Sequence, residues 1–257
     1  MRRTAAIVIA AALSLWAAGA AAQERPATLQ TLVSQFERMV FDEAKPSSPW
    51  TSFAKWQSPV HAILIDAERD ARERVRGLFA EFEALTGIEF VLSEADSAAN
   101  IKIFFSDRQW YRTAAQDSFE GANNILCFTS STLDRNGALV HATVVIPDDL
   151  RSGTSAGCLA HELMHALGFA GHPGRQIASA LRNGRNDGRL TLNDRILIRA
   201  LYDDALVPGL PREDFVATAR TIIEHLLSEL AGVTDPMYVL GRRRPMNSWR
   251  ALPDGSV

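Results

Sequence analysis

Residues 158–172 read Cys158-Leu159-Ala160-His161-Glu162-Leu163-Met164-His165-Ala166-Leu167-Gly168-Phe169-Ala170-Gly171-His172. On an α-helix, residues four apart stand on the same face. His161 and His165 can therefore offer imidazole nitrogens to one ion. Zinc accepts such nitrogens tetrahedrally and keeps an open position in catalytic sites. Glu162 lies one step round the helix. A carboxylate there can act as general base, taking a proton from a water acidified by zinc and passing it to a leaving amine. Leu159, Leu163, Ala166 and Leu167 form an apolar face suited to packing under a sheet. Gly168 can adopt a left-handed conformation, end the helix sharply and turn the chain so that His172 reaches the metal. Three of the six histidines fall in this stretch. The alternative to His172 is a downstream carboxylate, Asp187 or Asp194. Asp194 also reads as an acid at a helix start, in Thr191-Leu192-Asn193-Asp194. His61, His141 and His225 fall on other elements and read as structural or surface residues.

Working outward, residues 27–42 place Leu29, Leu32, Val33, Phe36 and Val40 at helical spacing. The Pro/Ser/Trp segment from Pro46 to Pro59 should be extended and irregular. Val60–Ile65 reads as a strand. Glu68–Leu85 reads as a long amphipathic helix closed by Gly87. Strands are expected at Ile88–Leu92, Asn100–Phe105, Asn124–Thr129 and Ala138–Ile146, the last ended by Pro147. The histidine-bearing helix should run from about Thr154 to Leu167. Two more helices are expected near 191–206 and 212–231. Gly241–Val257 reads as a loose tail. This order predicts an α/β (α+β) fold: a mixed, mostly parallel twisted sheet with a long backing helix, an active-site helix and a helical C-terminal subdomain.

At the N-terminus, Arg2 and Arg3 precede an apolar run, Ala5 to Ala18, and Ala20-Ala21-Ala22 offers a cleavage site before Gln23. Residues 1–22 thus read as a bacterial signal peptide cleaved after Ala22, and the mature protein as secreted or periplasmic. The run is short for a membrane span, so no stable membrane anchor is expected. Residues 23–59 read as an N-terminal helix and extended segment, 60–232 as the catalytic domain and 233–257 as a C-terminal tail. In an oxidising compartment the pair Cys127 and Cys158 suggests a disulfide. The net charge is −3, and it falls further once Arg2 and Arg3 are removed. That mild acidity argues against a nucleic-acid partner.

The stretch from His161 to Phe169 resembles the metzincin metallopeptidases, the astacin branch especially, whose signature is H-E-x-x-H-x-x-G-x-x-H followed by a methionine turn. The resemblance implies His161 and His165 as zinc ligands, Glu162 as base and Gly168 as the turn residue. His172 lies one residue later than the signature, with Ala170-Gly171 filling the gap and Gly171 free to bulge. Met237, in Asp235-Pro236-Met237-Tyr238, is the candidate for the methionine turn, or else a core methionine after a helix. Tyr238 would polarise the scissile carbonyl as a tyrosine does in some relatives.

A second resemblance spans roughly 50–230. Lys55-Trp56-Gln57-Ser58-Pro59-Val60, Cys158, Leu192-Asn193-Asp194-Arg195, Leu201-Tyr202-Asp203 and Pro208-Gly209 are similar to a secreted proteobacterial family of unknown function, held to be peptidase-like. That family implies no substrate.

The expected function is a secreted metalloendopeptidase with one zinc per chain and a peptide or protein substrate. The substrate would lie extended along an edge strand at 124–129. Two alternatives stand beside it. One is a secreted binding module with a structural zinc, which would have no need of Glu162. The other is a zinc amidase acting on cell-wall peptides. Residues 23–59 read as an embracing segment or an inhibitory arm. With no cysteine there, a thiolate latch on zinc is excluded.

Overall fold

The computed structural model describes residues 24–41, 53–94, 98–106, 127–148, 152–182 and 188–241. The expected signal peptide, Asp187 and the tail from 242 lie outside them. So do 124–126 of the expected edge strand.

The order is α1 (Leu29–Val40), β1 (Lys55–Trp56), β2 (Val60–Ile65), α2 (Arg69–Thr86), β3 (Phe90–Leu92), β4 (Ile101–Ser106), β5 (Phe128–Leu133) and β6 (Ala138–Pro147). Then come α3 (Ser152–Ala166), α4 (Leu192–Leu201), α5 (Arg212–Leu230) and α6 (Pro236–Leu240). The strands form one sheet. β3, β2, β4 and β6 run parallel in that order, β1 joins β6 in parallel, and β5 pairs antiparallel with β6. Leu139 of β6 faces both Trp56 of β1 and Leu133 of β5, so those two strands lie on opposite edges of β6. The mixed, mostly parallel sheet is the one expected.

Alternation builds it. In β2 the buried residues are Val60, Ala62 and Leu64, and in β4 they are Ile101, Ile103 and Phe105, so one face of each strand enters the core. On α2, Val75, Leu78, Phe79, Phe82 and Leu85 are buried on a single stripe, and Gly87 ends the helix at φ 70°. α3 packs against β5, β6 and α2. Buried Leu159, Leu163, Ala166 and Leu167 supply its apolar face.

Four expectations need correction. β1 falls in a segment read as irregular, because two residues carry no periodicity. The described edge strand, Phe128–Leu133, runs past the expected end at Thr129, since its register follows pairing with β6, Phe128 opposite Val145. Helix 191–206 stops at Leu201, where Tyr202 caps it. Within the segment read as a tail, Pro236–Leu240 is a short helix capped by Asp235.

The N-terminal segment embraces the domain. α1 packs on α5 and α4. The Ala27 amide donates to Asn193 Oδ1 at 2.9 Å, and the Leu192 amide donates to Glu24 Oε2 at 3.1 Å. Phe36, Phe41 and Phe53 surround Phe215 of α5 at ring distances of 5.1, 5.1 and 4.9 Å.

Candidate metal centre

The C-terminal end of α3 is held by residues distant in sequence. Helix ends leave carbonyls without partners. Here Trp56 Nε1 donates to Ala166 O at 2.7 Å and Tyr202 Oη donates to Leu167 O at 2.8 Å. Beside Tyr202, the buried Lys55 donates from Nζ to Asp203 O at 2.8 Å, and burial lowers its pKa to about 8. Gly168 then turns the chain at φ 115°, and any Cβ there would run into the carbonyl oxygen of Ala54.

After the turn, α1 fixes the loop. The Gly171 amide donates to Met39 O at 2.8 Å, Arg38 Nε donates to His172 O at 3.1 Å, and the Gly174 amide donates to Gln35 Oε1. The loop from Gly168 to Gly174 is thus held against α1.

His161, His165 and His172 converge, with one ligand nitrogen from each lying within 4.8 Å of the others. His161 Nε2 stands 3.1 Å from His172 Nε2 and 3.2 Å from His165 Nε2. Zinc–imidazole bonds of about 2.0–2.1 Å at tetrahedral angles put ligand nitrogens about 3.4 Å apart. The three histidines therefore fit such an ion.

Proton placement strengthens the fit. His161 Nδ1 lies 3.1 Å from Ala180 O, and His165 Nδ1 is hydrogen-bonded to Phe169 O. A carbonyl oxygen only accepts, so in both rings Nδ1 carries the proton. In the neutral rings both Nε2 atoms then present lone pairs, 3.2 Å apart. Lone pairs at that distance repel unless a cation lies between them. Burial, and to a lesser extent the neighbouring His172 ring, lowers the His161 pKa to about 4, so the ring is neutral at ordinary pH.

Glu162 is buried and faces β5. Thr129 Oγ1 donates within 2.8 Å of Glu162 Oε2 and lies equally close to Glu162 O. Burial pushes the Glu162 carboxyl up to about 8, and the Thr129 hydrogen bond acts in the opposite direction. Cys127 and Cys158 form a disulfide that ties the start of β5 to α3.

Asp194 is a cap, not a ligand. It completes a capping box with Thr191 at the start of α4. Met237 packs at the edge of the core and Tyr238 is exposed, both on α6, which rests on α4 and α5. His61 lies on β2 and His141 on β6. His225, on α5, stands 3.4 Å from Glu229. Sequence alone does not single out Thr129, Gln35, Arg38 or the carbonyl of Ala180, which meet the site only through long-range pairing, nor the carbonyl of Phe169, a local contact four residues beyond His165.

The chain belongs to the family described as a protein of unknown function (DUF2927), whose model matches residues 30–221. This bears out the resemblance to a family of unknown function. No curated protein matches the chain. Of the residues that carried that resemblance, Trp56 and Tyr202 hold the end of the histidine-bearing helix.

Proposed function

We propose that this chain is a secreted zinc metallopeptidase, with His161, His165 and His172 holding one zinc and Glu162 as general base. The observation that carries the reading is the pair of Nε2 lone pairs turned toward each other by Ala180 O and Phe169 O. Zinc so held would supply Lewis acidity and make water acidic enough to yield a nucleophile near neutral pH.

The remaining work falls to the chain. Thr129 holds Glu162 Oε2, leaving Oε1 to accept the proton from water and return it to the leaving amine. β5, with one side paired to β6 and no strand on its other side among the described residues, is the edge along which an extended peptide would lie. Secretion is supported by the signal-like N-terminus and by the disulfide. Among the described residues no helix is long and apolar enough to cross a membrane.

The test compares zinc-loaded wild type with Glu162→Gln on unstructured protein substrates and on cell-wall stem peptides. Cleavage that chelator abolishes, reduced about 10²–10⁴-fold in the variant with zinc retained, is expected. Cleavage of stem peptides alone would narrow the enzyme to a cell-wall amidase. Equal behaviour of the two proteins in every assay would leave a binding module with structural zinc.

A further inference from the structure

We infer that Asp194 is a positioning residue for the metal centre: acting through the Ala180 peptide, it fixes His161 as the Nδ1–H tautomer and aims Nε2 at the other two histidines. This rests on the metal reading above.

Asp194 is fully buried. Its Oδ2 accepts from the Ala180 amide at 2.8 Å, the Thr191 amide at 2.8 Å and Thr191 Oγ1 at 2.9 Å. No lysine, arginine or histidine pairs with it among the described residues. A buried carboxylate without a countercharge is costly. Helix capping does not require one, because Thr191 Oγ1 already accepts from the Asp194 amide and neutral residues cap as well. Capping leaves unexplained the bond to the Ala180 amide, which reaches fourteen residues back into the loop after the histidines, and the neighbouring hydrogen bond from the Ser179 side chain.

Ala180 has two faces in this arrangement. Its N–H is held by Asp194 and its C=O accepts His161 Nδ1–H at 3.1 Å. Hydrogen bonds in series polarise one another, so the bond to Asp194 Oδ2 strengthens the Ala180 carbonyl as an acceptor. Metal-bound histidines commonly donate their second N–H to a carboxylate, which sets the tautomer and raises ligand basicity. Here one peptide unit stands between carboxylate and imidazole. Ser179, Ala180 and Leu181 are all buried, so the unit cannot swing away without opening the core.

The test measures zinc affinity by competition with a chromophoric chelator for wild type, Asp194→Asn and Asp235→Ala, the last removing the cap of α6 away from the centre. Asp194→Asn should bind zinc about 10–100-fold more weakly and shift the visible bands of the cobalt-substituted protein. Asp235→Ala should lower Tm, through loss of that cap, and leave zinc affinity unchanged. Wild-type affinity in a folded Asp194→Asn protein would overturn the inference. If Asp194→Asn does not fold, ¹⁵N NMR of the metal-free wild type decides. A proton on His161 Nδ1 is expected, and one on Nε2 would overturn the inference. Failure of the wild type to take zinc would instead sink the metal reading, which the tautomer measurement does not depend on.

Discussion

At Gly168 a single methyl group would strike the Ala54 carbonyl, and the φ of 115° is one that side chains avoid. Gly168→Ala should therefore destabilise the fold by about 3 kcal/mol or more, read as a fall in the denaturation midpoint. Tyr202→Phe removes the donor to Leu167 O and should cost about 1–3 kcal/mol in the same assay. The titrating groups make a pH prediction. His161, lowered from 6.5 to about 4, gives stability that is present above pH 6.5 and lost as pH falls toward 4. Glu162, raised from 4.5 to about 8, gives stability that is present below pH 4.5 and lost as pH rises through 8. Zinc competes with protons on histidine and favours the ionised carboxylate. The zinc-induced rise in Tm should thus be larger at pH 8 than at pH 5, and an equal rise would contradict this placement. At this scale His161, Glu162, His165 and Gly168 were legible because helical spacing alone relates them. Thr129 and Ala180 were not, because they meet the site only through folding.

Among the elements, α1 has the least obvious task. Gln35, Arg38 and Met39 hold the loop of His172 at three points. The double variant Gln35→Ala, Arg38→Ala should weaken zinc binding, while circular dichroism still reports the wild-type helix content. The amphipathic spacing of α1 was legible, but its docking place was not, since hydrophobic periodicity names a buried face without naming its partner. The same limit explains the edge strand. A strand before β6 was readable from composition, whereas its range of 128–133 depends on pairing with β6, including an irregularity between Thr132 and Leu133.

Across the whole molecule, two long-range ties bear on the centre: the Cys127–Cys158 disulfide and the embrace of the N-terminal segment. The disulfide closes a span of 31 residues between β5 and α3. Replacing both cysteines by serine should cost roughly 3–4 kcal/mol in the chain-entropy account, seen in denaturant unfolding under oxidising conditions. The parallel pairing of β2 with β3 was legible from the order of elements, because α2 lies between them and a helical crossover returns the chain in the same direction. The antiparallel edge follows from the short Asp134–Gly137 connection to β6, a hairpin whose ends meet where the Asp134 amide donates to Ala138 O at 2.8 Å. The central claim is that three histidines form a single metal site, and it is tested most directly by the zinc content of the purified protein, wild type beside His172→Ala. One zinc per chain in the wild type and loss or marked weakening in the variant is the predicted result; a wild type that takes up no zinc when it is supplied would contradict the account.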